Sequence, residues 1–308
     1  MNLGKYKAIR IIGSGSYGKI FQGISVATGD SVAIKMISLQ GKTPDNIAEI
    51  EQEIGFMEKL SDPQVQESRY IVKYVDDFNI TMGATPYKII VMEDLSAWVT
   101  IDKYMESAYR LNPCNRIATG ILKKIVTNLV MGLLHIHSQG IAHRDIKPEN
   151  IMMDISYNIK YIDFGLSCSL KCAGTRGTPL YLPPETAVLP GDKLHLPPAL
   201  SDDVIIKHNL KMGQRHDVWS LGLVMYQLSN LSKYPNNLPF DIPPTSNAYV
   251  FLSNMKKAPY KYPSNYTYEY AYQDIDFNAI ITTMLTVNPE YRPDIGMIKD
   301  YIDRFNAA

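Results

Sequence analysis

Between residues 5 and 37 short apolar runs alternate with glycines, as Y-K-A-I-R-I-I-G-S-G-S-Y-G-K-I-F-Q-G-I-S-V, then T-G-D, then S-V-A-I-K-M-I. Thr28, Gly29 and Asp30 carry hairpin-turn chemistry between two β-branched segments, so this stretch predicts an antiparallel meander. From Pro44 to Leu60 the period becomes helical: Ile47, Ile50, Ile54 and Met57 share a face, Thr43 suits the N-cap and Pro44 the first helical position. Gly55 inside this helix costs about 1 kcal/mol relative to alanine, so the helix must lean on tertiary packing. Strand-like runs follow at 70–78 and 87–93. After Asp94 the pattern turns helical. Residues 117–137 place Ile121, Leu122, Ile125, Leu129, Leu133 and Ile136 on one broad face, with Gly140 as the stop. Residues 218–228 (V-W-S-L-G-L-V-M-Y-Q-L) are apolar nearly all round, which marks a helix buried on every side. A strand-rich N-terminal part thus precedes a helix-rich remainder, with no internal repeat.

The chain has 308 residues, 31 Lys+Arg against 31 Asp+Glu, 45% apolar and 20% charged residues. That length suits two modest lobes, and the composition excludes wholesale disorder. Balanced charge removes the broad basic field of a non-specific nucleic-acid binder, so no nucleic-acid partner is expected. No run approaches the roughly 18 uncharged apolar residues of a membrane span. The N-terminus M-N-L-G-K-Y-K-A-I-R lacks the apolar region of a secretory signal, and Asn2 stands where myristoylation needs glycine. Cys114, Cys168 and Cys172 are too few for a disulfide framework and lack the second pair of a zinc site, so a structural or incidental role in a reducing compartment is expected. Together these features predict a soluble intracellular monomer.

Residues 13–18 read G-S-G-S-Y-G. Glycines at these points let backbone amides approach a polyphosphate without Cβ interference. A similar motif opens the helix of dinucleotide-binding folds, but here strand pattern follows from Lys19, which leaves a phosphate cradle or a plain glycine-rich hairpin. Lys35 closes V-A-I-K among apolar neighbours and so needs a partner or an anionic ligand. Glu53 borders the apolar stripe of the 44–60 helix and is the favoured partner, with Glu49, one turn earlier, as the alternative.

Residues 143–150 read H-R-D-I-K-P-E-N and 163–165 read D-F-G. With the glycine-rich loop, Lys35 and the P-P-E at 183–185 in the same order, the chain resembles a eukaryotic-type protein kinase of the serine/threonine class, from Tyr6 to about Phe305. The resemblance implies an α+β bilobal fold: an N-lobe over 1–93 with a small antiparallel sheet and one main helix, a hinge at 94–97, and a larger, mostly helical C-lobe over 98–308. It implies ATP and Mg²⁺, and protein substrates bearing serine or threonine. Asp145 would accept or orient the proton of the attacking hydroxyl, Lys147 would neutralise the transferring phosphoryl, and Lys35 would hold phosphate with Glu53. Asn150 and Asp163, hard oxygen donors, would bring the metal. Ile12, Gly13, Ser14, Gly15, Ser16, Tyr17 and Gly18 would wrap the phosphates. Ala33, Met152 and Ile20 would sandwich the adenine, beside Met92 as gatekeeper and the backbone of Glu93 and Leu95. For the ribose, Thr100 and Asp102 are the candidates. Glu185 with Arg292, and Asp217, match structural positions of the family. Lys147 and Thr178 favour serine/threonine over tyrosine. The alternative is a nucleotide-binding pseudokinase or scaffold.

Arg144 before the catalytic aspartate implies control by phosphorylation between Gly165 and Thr178, where Ser167, Ser169 and Thr175 are acceptors and Thr175 is nominated; a constitutively ordered loop is the alternative. Pro183 replaces the usual alanine before P-E. The stretch between Glu185 and Asp217 is longer than the family pattern and is read as one short helix capped by Ser201. At 188–213 it could dock a regulatory partner, although a surface elaboration is favoured. Tyrosines at 260, 262, 266, 268, 270 and 272 are read as a packed surface loop.

Overall fold

A computed structural model describes residues 1–15, 18–111, 117–169, 172, 176–186, 202–231, 239 and 275–307, with the side chains of 15, 202–208 and 275–276 outside the description. Ser16, Tyr17, Cys114, Thr175, Ser201 and the tyrosine-rich stretch therefore lie outside the described residues.

The N-terminal alternation folds as strands β1 (Asn2–Leu3), β2 (Tyr6–Gly15), β3 (Gly18–Ser25), β4 (Ser31–Ser38), β5 (Tyr74–Met82) and β6 (Thr85–Glu93). They form an antiparallel sheet in the order β1-β2-β3-β4-β6-β5. One face packs within itself through Tyr6, Val32, Ile34, Ile89 and Val91, and the other joins the main core through Ile37 and Ile90. At the β2–β3 hairpin Gly15 pairs with Gly18. Gly18 has φ 143°, and a Cβ there would stand 2.2 Å from the Met36 carbonyl oxygen, so this position requires glycine.

Helix α1 (Pro44–Leu60) begins at Thr43, whose hydroxyl accepts from the Asn46 amide while Asn46 caps back, and it buries Ile50, Ile54, Phe56, Met57 and Leu60. The run expected as a strand from residue 70 instead starts as a 3₁₀ turn, Gln66–Tyr70, and pairing begins at Tyr74. Ile71 and Val72 are fully buried and tie to Tyr161, so their hydrophobicity serves the junction with the rest of the chain.

Beyond the sheet stand α2 (Ile101–Leu111), α3 (Thr119–Ser138), α4 (Asp202–Ser229), α5 (Ile275–Met284) and α6 (Ile295–Ala307). A second sheet of three strands is formed by β7 (Val99–Thr100), β8 (Ile151–Met153) and β9 (Ile159–Tyr161), in that order. This is the expected α+β architecture. Helix α3 is long and apolar enough by length and composition to cross a membrane, but Leu122, Ile125, Leu129, Leu133 and Ile136 are buried against the rest of the core.

Two expectations are corrected. The short helix expected near 201–212 is the first part of one 28-residue helix that runs on through the all-apolar 218–228 segment. Gly213 does not break it: a Cβ there would meet Ala142 Cβ at 3.0 Å and Cys172 Cβ at 3.3 Å, so its smallness serves close packing. The cysteines, expected to be structural or incidental in a reducing compartment, include a disulfide between Cys168 and Cys172. Ala142 and Cys168 exchange backbone hydrogen bonds, and the two cysteine Cα atoms lie 5.3 Å apart.

Candidate active site

The site is assembled from strands of both sheets, the middle of α1 and the loop after α3. Lys35 sits mid-strand on β4 opposite Ile90, is 7% exposed, and points at α1. Its Nζ lies 2.5 Å from Glu53 Oε1 and 3.6 Å from Asp163 Oδ1. Desolvation works against the Lys35 ammonium, but Glu53 and Asp163 outweigh it and raise its pKa. Burial pushes the Glu53 carboxyl up while Lys35 pulls against it. Glu53 is thus the partner, and the alternative Glu49 reaches outward to Arg176 at 2.7 Å.

Asp145 lies in the loop after α3. Asp217, fully buried on α4, holds that loop by accepting from the backbone amides of His143 and Arg144, both at 2.7 Å, and its Oδ2 lies 2.9 Å from His137 Nε2. Burial would raise the Asp217 pKa, yet the His137 bond and neighbouring imidazoles bring it below the usual carboxylate range. Arg144 adopts φ 65°, which turns the chain between the two anchored amides.

Asp145 is ringed by donors. Lys147 Nζ lies 2.9 Å from Oδ2, Asn150 Nδ2 donates to Oδ2 at 2.8 Å and to the backbone carbonyl at 2.9 Å, and the Thr178 amide and hydroxyl donate to Oδ1 at 3.0 and 2.7 Å. Burial opposes its ionisation, but Lys147 and Thr178 more than offset that, so its pKa lies below the ordinary value and it is a carboxylate at neutral pH. Asp163 has φ 64°, and its Oδ1 is buried without a hydrogen-bond partner among the described residues, the contact to Lys35 being too long for one.

A cavity of about 650 Å³, a size typical of small-molecule sites, opens between these groups. Ile12, Gly13, Ser14, Gly18, Ile20, Ala33, Lys35, Glu53, Met92, Glu93, Leu95, Asn150, Met152 and Asp163 all line it. Asp145 and Lys147 are not on the wall; Asp145 is bonded to Asn150, which is. Of the two ribose candidates, Thr100 lines the cavity with its hydroxyl buried and without a partner among the described residues, and Asp102 lies off the wall. Sequence reasoning missed Trp98 and Lys103, which also line the cavity. No spacing signal singles them out, because Trp98 stands just before β7 and Lys103 in the first turn of α2.

Glu185 and Arg292 form a two-pronged pair at 2.7 and 2.9 Å, with the guanidinium fully buried and also bonded to the carbonyls of Arg215 and Thr286.

A sequence profile of the protein kinase domain matches residues 6–301. The chain is 29% identical over 307 residues to CBL-interacting serine/threonine-protein kinase 8 of Arabidopsis thaliana, an alignment covering 96% of this chain and 57% of that protein. It is 25% identical over 306 residues to CBL-interacting protein kinase 30 of Oryza sativa subsp. japonica, covering 97% and 54%. It is 27% identical over 268 residues to serine/threonine-protein kinase TIO of Arabidopsis thaliana, covering 85% and 17%. The chain spans about half the length of the CBL-interacting relatives and a smaller share of TIO. With the profile running from the first long strand into the last helix, over the cavity and every group around it, the chain belongs to the protein kinase family.

Proposed function

We propose that the chain transfers the γ-phosphoryl group of ATP to serine and threonine hydroxyls of proteins, with Mg²⁺ held by Asn150 and Asp163. The observation that carries this reading is the continuity of the charged groups. Lys35 and Asp163 face one another at 3.6 Å in a nucleotide-sized cavity, and Asn150 on its wall is bonded to Asp145.

Lys35, fixed by Glu53, would bind phosphate oxygens. The ionised Asp145 would orient the incoming hydroxyl and receive its proton, while the Lys147 ammonium would offset charge on the phosphoryl group in transfer. Among the described residues no group of three or more His, Cys, Asp or Glu forms a metal cage. That suits Mg²⁺, which is held by one or two protein oxygens with phosphate and water. Asp163 Oδ1, without a hydrogen-bond partner among the described residues, fits such a ligand, and Asn150, which lines the cavity and donates its Nδ2 to Asp145, would offer its amide oxygen as the second. When bound, the metal would neutralise and orient the phosphates.

The test is transfer from labelled ATP to a generic protein substrate by the purified chain, followed by phosphoamino-acid analysis. Label on serine and threonine, lost in Asp145→Asn, is expected. ATP binding without transfer in the unsubstituted chain would instead establish the pseudokinase alternative. The CBL-interacting relatives are named for a partner, and a regulatory partner of this chain would belong at 188–213, of which residues 202–213 are described. Deleting 188–201 should then abolish partner-dependent stimulation while basal transfer persists.

A further inference from the structure

The half of α1 that carries Glu53 has little apolar anchoring. Residues 44–49 are all exposed, and before Gly55 the buried hydrophobic residues are Ile50 and Ile54. Gly55 weakens the helix near its middle. This half instead sends glutamates to three elements. Glu49 meets Arg176, Glu51 meets Lys88 on β6, and Glu53 meets Lys35 on β4. The Glu49–Arg176 pair is about half exposed on both sides, where such pairs hold little.

Lys88 differs. It is 5% exposed in the middle of the β6 run P-Y-K-I-I-V, and its Nζ lies 2.8 and 3.1 Å from the two Glu51 oxygens and 2.6 Å from Asp77 Oδ2 on β5. The Tyr74 hydroxyl donates to the other Asp77 oxygen at 2.6 Å. Lys88 pairs with Ile37, while Ile90, two residues on, pairs with Lys35 and with Asp77. With side chains alternating along a strand, both lysines and Asp77 therefore share the sheet face that α1 covers. Desolvation opposes the Lys88 ammonium, and Asp77 and Glu51 outweigh it.

We propose that Lys88 is a positioning residue for phosphoryl transfer: by bonding Glu51 on α1 and Asp77 on β5 together, it sets the helix at the height above the sheet from which Glu53 reaches Lys35. The proposal rests on the reading of Lys35 as the nucleotide's partner. Lys88 itself lies off the cavity wall, so it acts through the placement of α1 on the sheet.

The full chain would be compared with Lys88→Met, Lys88→Arg and Glu51→Gln for kcat/KM toward ATP, ATP·Mg affinity by calorimetry, and hydrogen–deuterium exchange over residues 44–54. Lys88→Met should lower kcat/KM about tenfold, the equivalent of about 1.4 kcal/mol. It should also speed exchange in 44–54 but not in β2–β3, and Lys88→Arg should recover most of both. A Lys88→Met chain that loses thermal stability yet keeps exchange over 44–54 and kcat/KM within about twofold of the unsubstituted chain overturns the proposal. If Lys88→Met does not fold, Glu51→Gln at its half-exposed position carries the same comparison with the same thresholds. Should the unsubstituted chain neither bind nor turn over ATP, the functional reading fails by itself. Exchange over 44–54 then still decides whether Lys88 sets the helix.

Discussion

The Thr178 hydroxyl donates to Asp145 Oδ1 at 2.7 Å and accepts from Lys147 Nζ at 2.7 Å, so one side chain from the segment before Pro179 closes a ring with Asp145 and Lys147 of the loop after α3. A hydroxyl in that ring keeps the Asp145 carboxylate and the Lys147 ammonium at a fixed spacing. Thr178→Val keeps the side-chain volume but leaves both charged groups short of a hydrogen bond. With bonds to charged groups contributing about 1.5–3 kcal/mol, steady-state transfer should fall by roughly ten- to a hundredfold. Thr178→Ser should retain most of it. Equal rates for the valine variant and the parent chain would mean that the ring is not used in transfer.

Gly55 offers the opposite experiment. A Cβ at this position meets nothing within 4 Å, and the residue lies exposed in α1. Gly55→Ala should therefore raise stability by about 1 kcal/mol through helix propensity alone. The chemical-denaturation midpoint is the readout, and an unchanged or lower midpoint would show that the position needs glycine for a reason other than space.

Much of this site is legible in the sequence because local rules and spatial proximity coincide there. The Thr43 cap, the helical spacing from Ile47 to Met57 and the V-A-I-K strand are each short-range signals, and together they place Glu53 against Lys35. The Lys88 network could have been found the same way: a lysine in an apolar strand run needs a partner, as Lys35 does. It was hidden because its partners, Glu51 and Asp77, sit on different elements whose register only the sheet fixes. Long-range facts were out of reach for the same reason. The Cys168–Cys172 cross-link sits beside the pairing of Cys168 with Ala142, and where the 202–212 segment runs on into the buried helix, Gly213 packs against Ala142 and Cys172, contacts between residues far apart in the chain. Nor does spacing distinguish Thr100 from Asp102; Thr100 ends β7 on the cavity wall, whereas Asp102 lies in the first turn of α2, off that wall.

Arg292 is fully buried, is bonded to both Glu185 oxygens, and lies 5.1 Å from the centre of the Trp219 ring. Arg292→Lys cannot reproduce the fork, and Arg292→Ala leaves Glu185 facing a cavity without its counter-charge. Destabilisation of about 3–5 kcal/mol is expected for alanine, with lysine intermediate, measured by urea unfolding. A lysine variant as stable as the parent chain would show that charge alone, without the planar geometry, braces the segment at Glu185.

The deepest titratable test lies at His216, next to Asp217 on α4. Burial lowers its pKa to about 4, against the opposing pull of Asp217 and Glu185, with Arg144 and Arg292 adding to the depression. Above pH 6.5 the imidazole is neutral whether the chain is folded or not, so it contributes no pH dependence there. As the pH falls from about 6.5 to about 4, the unfolded chain takes up a proton that the folded chain refuses, and stability drops by about 1.4 kcal/mol per pH unit. The loss should reach about 3 kcal/mol and level off once the folded imidazole also protonates. His216→Leu removes this group while leaving the acidic residues to titrate in both chains. The difference in unfolding free energy between parent and variant should therefore shift by about 3 kcal/mol between pH 7 and pH 4, with the parent losing more. Parallel stability curves for the two chains over that range would mean that His216 is solvated or charged in the fold, and that α4 is less tightly closed around Asp217 than its burial implies.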